Sequence, residues 1–403
     1  MIVTGMPPAL GLIVGILVLC SSVSIMSTDM YTPSLPDLAR WFETTPTMVQ
    51  LTISLNFLAF GFAQLVHGPL SDRFGRKPVL LTSLAAVIVL SLLCAVAQTI
   101  EQLIAARVLL GLAAGAEAVI GLAVIKDLYS EKEQVKALAL LGMVIAIVPA
   151  AAPLAGGFIH VAFGWQANFL VISGMSLVAL LTALAYLPES TIPNKQALQP
   201  RAILLGYAGL LRNSDFLTHT LILGVGLGLV FVFVTGAPFV LIDMLGVAPD
   251  QFGFYQGATV VSFFLGSVLA SRLADRWQAL ALLNLGVVII LIGAMVLSVI
   301  ILLDATTPKT LAAAYMIMTF GMGPMFAVAP SRALRSVEGQ AGTASALLSG
   351  IEQSMAAMAA VAVSFLHDGT AGPLAWVTMF LAVCLFVLLR RSRQEDERIF
   401  SAG

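Results

Sequence analysis

Charge is what this 403-residue chain has least of. Asp, Glu, Lys and Arg together make up 10% of it, where a soluble domain carries about 25%. Hydrophobic residues make up 59% and the mean hydropathy is +1.00. A water-soluble globule of this size has no means of hiding so much apolar surface, so a soluble enzyme is excluded, and the same numbers exclude intrinsic disorder. The net charge is −1, which leaves no basic surface for a polyanion and makes nucleic acid a poor partner. The three cysteines, Cys20, Cys94 and Cys384, each sit inside an apolar run, so they read as small buried side chains and not as a disulfide or metal framework. No phosphate-binding glycine loop is present, which argues against coupling to ATP. The four histidines, His67, His160, His219 and His367, fall at the ends of apolar runs. The runs themselves hold no metal cluster and no nucleophile–base pair, so an enzyme is not expected, and neither a metal nor an organic cofactor.

What the chain has in abundance is long apolar runs. A bilayer-spanning helix needs about 20 of these residues, and twelve such spans can be read: roughly 9–33, 47–69, 78–98, 103–125, 137–160, 168–187, 217–241, 251–274, 280–303, 310–330, 343–366 and 374–390. They are continuous and too long for the ten-residue alternation of a barrel strand, so the expected fold is an all-α membrane protein. The opening stretch, MIVTGMPPALGLIVGILVLC, lacks a basic leader region and a small-residue cleavage site, so it is read as a retained first span. The longest polar stretch, 188–216, divides the chain into six spans and six spans. The division predicts an N-terminal bundle over 1–188, a linker over 189–216 and a C-terminal bundle with a short tail over 217–403. The second half of the linker is either a helix lying on the membrane surface or plain connecting chain.

An even number of spans puts both termini on one side. Every Lys and Arg falls on that side except Arg40, Lys309 and the intramembrane Arg107. This asymmetry predicts cytoplasmic termini and a cytoplasmic linker in a bacterial-type inner membrane. A weak repeat links the halves: GPLSDRFGRK from Gly68 and SRLADRWQ from Ser271 align Asp72-Arg73 with Asp275-Arg276, about half a chain apart. Two six-helix halves related by an axis along the membrane normal form a known transporter plan.

Charge inside the spans costs roughly 2.5–3.5 kcal/mol per residue on insertion scales, so Asp29, Arg107, Glu117 and Glu352 are the informative residues. Asp29, near the end of span 1, and Arg107, near the start of span 4, lie at similar depth. A pair between them, direct or through water, is either a proton-coupled gate or a static ion pair. Glu117 lies about 15 Å deeper at 1.5 Å per residue. It is a second proton carrier, a counter-charge for cationic cargo, or a protonated carboxyl bonded between helices. Glu352 is a candidate for the cavity. Asn56, Phe60, Gln64 and His67 form a polar-aromatic stripe on span 2, facing either a wet cavity or a neighbouring helix; His67, next to the loop, is read as structural. Spans 10 and 11 are rich in methionine (Met316, Met318, Met322, Met325, Met355, Met358), either an adaptable ligand surface or core filler. Gly11/Gly15, Gly111/Gly115 and Gly224/Gly228 have the spacing that lets helices approach closely.

These residues carry a resemblance to the major facilitator superfamily over the whole chain. GPLSDRFGRKPVLL (68–81) is similar to that superfamily's signature loop G-x-L-x-D-R-x-G-R-K. LIAARVLLGLAAG (103–115) resembles its fourth-helix motif around an intramembrane Arg. VPAAAPLAGG (148–157) resembles its fifth-helix antiporter motif, with Val148 and Ala152 in place of glycines. With STDMYTPSLPDLA (27–39), the chain looks most like the drug:proton antiporter branch that includes the bicyclomycin and chloramphenicol resistance exporters.

The resemblance implies a twelve-helix fold of two pseudo-symmetric bundles that works as a monomer. It would carry small amphipathic molecules outward across the lipid bilayer against protons, by alternating access. It assigns proton coupling to Asp29, Arg107 and Glu117, with Glu117 standing in for a first-helix acid whose place is taken here by Ser21. The substrate cavity would use Tyr31, Asn56, Phe60, Gln64, Glu352 and Met355. The gate would use Gly68, Asp72, Arg73, Gly75, Arg76, Asp127, Pro153, Gly156 and Gly157: Asp72 against the start of span 11 near Thr343, Arg73 paired with Asp127, Gly75 for the tight turn, and Pro153 with the glycines bending span 5 against span 8. The same fold with another cargo, such as a siderophore or sugar, is the nearest alternative. A membrane receptor or intramembrane enzyme is a remote one, as no soluble signalling domain remains once the spans are placed.

Overall fold

The computed structural model describes residues 10–194, 200–335, 337 and 341–402. The reading of the first nine residues, and of Lys195 as a linker charge, falls outside them. Among the described residues all regular structure is helical: α1 (Leu10–Asp29), α2 (Leu35–Trp41), α3 (Pro46–Phe74), α4 (Arg76–Ala95), α5 (Ile100–Leu128), α6 (Glu131–Phe163), α7 (Trp165–Tyr186), α8 (Pro200–Arg212), α9 (Ser214–Pro238), α10 (Pro249–Leu273), α11 (Ala279–Leu302), α12 (Pro308–Arg335), α13 (Ala341–Phe365) and α14 (Gly372–Ala402). Twelve of the helical segments are long and apolar enough to cross a membrane, α1–α2 counting as one. Most observed helices start a few residues before the apolar limits read from the sequence, and α3, α5, α6, α12 and α14 also run past the far limit, because polar caps and charged turns extend beyond the membrane core.

Local chemistry sets the helix starts. Thr45, Thr99 and Asn213 accept hydrogen bonds from the amides of Met48, Gln102 and Phe216, and Ser130 with Glu133 forms a reciprocal capping box, satisfying amides that have no partner inside the helix. The tight turns before α4 and α7 pass through Gly75 (φ 101°) and Gly164 (φ 83°), where a side chain would be strained.

The first span is broken. Pro33 and Pro36 follow Asp29 closely, and proline has no amide to continue a helical ladder. Accordingly α1 stops at Asp29, a short 3-10 turn covers Thr32–Ser34, and α2 carries the chain to Trp41. The seventh span changes character too, with a π-helical turn at Phe239–Met244 after Pro238. Residues 200–212 of the polar stretch are helical, and α8 rests on the bundle: Tyr207 donates to the Leu65 carbonyl (3.4 Å), and Gly206 lies beside Thr343.

The buried core falls into clusters. One belongs to the last six spans, and another to the ends of α1, α4, α5 and α7 nearest the termini. A third fills the other end of the first six spans and reaches across to Phe231, Val234 and Phe239 of the seventh. The two sets of six spans meet along α3 with α13 and along α6 with α10. Small residues allow the approach. A Cβ on Gly157 would collide with the Pro249 carbonyl, one on Gly253 with the Leu154 backbone, and one on Gly61 with the Gln353 side chain. Gly111 and Gly115 likewise let α5 lie against α3, and Gly224 and Gly228 let α9 lie against α13, whereas Gly11 and Gly15 face open space.

Candidate functional site

Between the two sets of spans lies a cavity of about 270 Å³. The first six spans contribute Ser24, Ile25, Thr28 and Asp29 from α1, Phe57 and Phe60 from α3, and Pro149 from α6. The last six spans contribute a run of α9 from Leu227 to Val234, with Gln256 and Thr259 of α10, Tyr315, Thr319 and Met322 of α12, and Gln353 of α13. The walls are mostly apolar and aromatic, with a few polar groups, the composition of a small-molecule site. Phe57 and Phe231 close one edge as an edge-to-face pair, centroids 3.9 Å apart.

Asp29 is the acid on this wall. It is the last residue of α1 and is 7% exposed. Its carboxylate makes no hydrogen bond and no ion pair with any described residue; only its backbone carbonyl is engaged, by Thr32 Oγ1 at 2.8 Å. A direct ion pair with Arg107 is therefore not made, although the Arg107 charge still acts on this carboxylate. Arg107 is fully buried and serves α1 differently. Its Nη1 donates to the Ser27 carbonyl (2.5 Å) and its Nε to the Thr52 carbonyl of α3 (3.3 Å). The guanidinium lies 4.5 Å from the Tyr31 ring centroid and 5.9 Å from that of Phe169. Ser27 is in the last turn of α1, where carbonyls have no intrahelical partner, and a cation is favoured at a helix C-terminus. The proline break creates these free carbonyls, so the arginine caps the helix instead of seeking the carboxylate. Arg107 Nη2 remains buried without a partner.

The rest of the polar stripe on span 2 is tied into the helix packing. Asn56 donates to the Arg107 carbonyl (2.6 Å) and accepts from Thr28 Oγ1 (3.3 Å). Tyr31 hydroxyl bonds Thr52 Oγ1 (2.8 Å). Gln64 is buried beside Gly115. Met355 packs on Gly224, and Glu352 is partly buried outside the cavity wall. Of the six residues expected in the cavity, only Phe60 lines it. A stripe at helical spacing identifies a face and not the neighbour that the face meets. Among the methionines, Met322 reaches the cavity, Met318 and Met325 are core, and Met358 is exposed. Glu117 lies between α5 and α1, fully buried, with both carboxylate oxygens unpartnered and away from the cavity wall.

The signature loop, on the side of the bundle that carries the chain ends, folds around Arg76. Its Nη2 pairs with Asp72 (2.6 Å), its Nε with Asp127 (3.2 Å), and its Nη1 donates to Ser71 Oγ (2.5 Å). The pair expected between Arg73 and Asp127 is thus made by Arg76. Arg73 follows Asp72 directly on α3, and adjacent helical residues face different ways; its guanidinium lies over the Phe74 ring, 5.3 Å from the centroid. Asp72 is held by Arg76, not by the first turn of α13: among the described residues no bond links it to Thr343. Glu189, which the sequence reading passed over, accepts from the amides of Arg76 (2.9 Å) and Lys77 (3.2 Å) and caps α4 from the end of α7. A Cβ on Gly75 would meet that carboxylate. Gly68 has room around it. The repeated Asp275-Arg276 is exposed and makes no ion pair among the described residues.

On the opposite face the two sets of spans are pinned together. Arg40 pairs with Asp37 on its own helix and with Asp243 across the interface (3.1 Å), while His160 Nε2 bonds Asp37 (2.5 Å). Thr47 donates to the Ser364 carbonyl across the interface (3.0 Å), and within the last six spans the Phe239 and His367 rings pack 5.5 Å apart. Burial holds the His367 imidazole below its usual pKa, with Asp368 and Asp243 pulling the other way. Gly156 and Gly157 belong to this closure: a Cβ on Gly156 would overlap the Met30 carbonyl at the break of the first span. Pro153 lies within α6 in the same region. The cavity is closed on this face in the conformation described.

The sequence profile of the Major Facilitator Superfamily matches residues 17–360. Among curated proteins, the chloramphenicol resistance protein of Pseudomonas aeruginosa is 28% identical over 93% of this chain and 88% of its own length. The bicyclomycin resistance protein homolog of Haemophilus influenzae is 29% identical over 89% and 90%. Among solved structures, the xylose transporter XylE of E. coli, in a partially occluded inward open conformation, superposes with a TM-score of 0.73 at 13% identity, covering 95% of this chain and 97% of that one.

Proposed function

The chain belongs to the Major Facilitator Superfamily, and on that footing we propose that it is a proton-coupled exporter of small amphipathic compounds. Two relatives are named for resistance to chloramphenicol and to bicyclomycin, both small amphipathic molecules. The observation that carries the reading is the unshared carboxylate of Asp29 on the wall of a cavity between the two sets of spans.

A buried anion without a partner is costly, so Asp29 favours either a proton or a cargo group that donates to it. Cargo and proton then compete for one carboxyl. With the cavity open to the acidic exterior, a proton displaces cargo. With it open to the cytoplasm, the proton leaves and cargo binds. Each inward proton contributes about 2.3 kcal/mol per 100 mV of membrane potential. The bias of basic residues supports a bacterial inner-membrane placement with cytoplasmic termini, and the closed face bearing Arg40 and Asp243 is then periplasmic. A single chain holds the complete cavity and acts as a monomer. Arg107, which fixes the end of α1, sets the position of Asp29; Glu117 is a second proton-binding group behind the same helix.

The test is chloramphenicol-driven proton movement in proteoliposomes holding wild type or Asp29→Asn. Wild type should release protons when cargo binds and should drive uphill export. The variant should equilibrate cargo without moving protons. Undiminished coupling in the variant overturns the role of Asp29.

A further inference from the structure

Among the polar side chains of the cavity, acceptors outnumber free donors. Ser24 Oγ donates to the Ala114 carbonyl (3.1 Å) and Thr28 Oγ1 to Asn56 Oδ1 (3.3 Å). Thr259 Oγ1 donates to the Gln256 carbonyl (2.7 Å) and Thr319 Oγ1 to the Met316 carbonyl (3.2 Å). Tyr315 hydroxyl is engaged with Thr378 Oγ1 (3.1 Å). A hydroxyl has one proton and two lone pairs, so the four Ser and Thr oxygens keep only acceptor capacity toward the cavity. Asp29, when ionised, is an acceptor as well. The remaining polar groups are the amides of Gln256 and Gln353: their carbonyl oxygens are buried without a partner, and their NH2 groups are the free donors of the wall, against seven acceptor positions on Asp29, the four hydroxyls and these two oxygens.

We infer that this cavity selects cargo by its hydrogen-bond donors: an apolar or aromatic body carrying two or more O–H or N–H groups. The aromatic wall of Phe57, Phe60 and Phe231 holds the body. Gln256, Thr259, Thr319 and Gln353 determine specificity from the last six spans, facing Asp29 on the first. A ligand of equal shape bearing only acceptors could be met by the two Gln NH2 groups alone and would leave the hydroxyl and carboxylate oxygens opposed to its own, and an unpaired buried polar group discriminates more strongly than a missing methylene. The inference rests on the export reading and adds to it the class of cargo.

The experiment uses the full chain in proteoliposomes with three probes: chloramphenicol, which carries two hydroxyls and an amide N–H on an aromatic body; its bis-O-methyl ether, which keeps the oxygens and loses two donors; and its dideoxy analogue, which loses the oxygens altogether. Wild type should bind and export the diol about tenfold better than either analogue. A loss for the ether alone, with the smaller dideoxy compound handled like the diol, is a steric effect and overturns the inference. Thr259→Val with Thr319→Val keeps the side-chain volume and should narrow the diol preference to about twofold, while Thr319→Ser should preserve it; a preference unchanged in the double Val variant also overturns the inference. If all three probes are exported alike and Asp29→Asn still uncouples transport, the exporter reading stands and the donor rule falls. If none of the probes moves protons or is moved, both fall together.

Discussion

Arg107 illustrates how a residue identified by its cost can have a different partner from the one its charge suggests. An arginine in a span calls for compensation, and the nearest acid by depth is Asp29. The compensation comes instead from two aromatic rings and two backbone carbonyls, one of which, that of Ser27, is made available by the proline-induced stop of α1. Replacing Arg107 by Ala would leave the Ser27 and Thr52 carbonyls buried and unpaired, at a cost of about 1–3 kcal/mol each. Lys has one short-reaching ammonium in place of a planar fork and reaches only one of them. Thermal melting of purified protein should rank wild type above Arg107→Lys above Arg107→Ala. Equal melting of all three would show that the arginine does not secure α1. The residue scale is also where Asp29 and Asn56 part: both are polar side chains on membrane helices, yet one is left unshared on the cavity wall while the other joins α1, α3 and α5.

At the scale of elements, the broken first span and the proline-containing α6 fit together through Gly156, whose missing side chain is replaced by the Met30 carbonyl. Gly156→Ala places a methyl group where a backbone atom already is, and neither helix can yield without moving its neighbours. The variant is expected to lose most of its folded yield or melt several degrees lower. Gly142→Ala, on the same helix and facing open space, should be neutral or slightly stabilising, since Ala favours a helix interior over Gly by up to about 1 kcal/mol. Similar behaviour of the two variants in size-exclusion and melting would refute the packing account. Both glycines look alike in the sequence, as do Gly11 and Gly111. Small-residue spacing marks where close approach is allowed, and only the packing tells where it is used.

For the whole molecule, Arg40–Asp243 is the ion pair that crosses between the two sets of spans among the described residues. Both side chains are substantially exposed, so the pair is worth at most about 1 kcal/mol, enough to bias an equilibrium between closed and open states by about fivefold. Either Arg40→Asp or Asp243→Arg should speed labelling of a cysteine introduced at Phe57 by an impermeant reagent added from that face. The double reversal should restore the slow rate, the signature of a pairwise contact. A double variant that labels as fast as the single ones would mean that the contact does not hold this face shut.

The amino-acid sequence by itself determined the membrane class, the twelve spans, their common handedness of charge and the family motifs. These follow from the cost of placing polar groups in hydrocarbon and from the length needed to cross it, both local properties of the chain. It also marked Asp29, Arg107 and Glu117, because charge in a span is conspicuous against an apolar background. The tertiary structure alone decided which of two nearby arginines, Arg73 and Arg76, meets Asp127, why Arg107 turns to carbonyls, and which residues face the cavity. Gln256, Thr259, Thr319 and Gln353 are unremarkable polar positions spread over three helices, and Glu189 is one acid among many in loops. Their roles arise when helices distant in sequence pack at a particular rotation, and that rotation is fixed by the sum of many side-chain contacts and by no single residue.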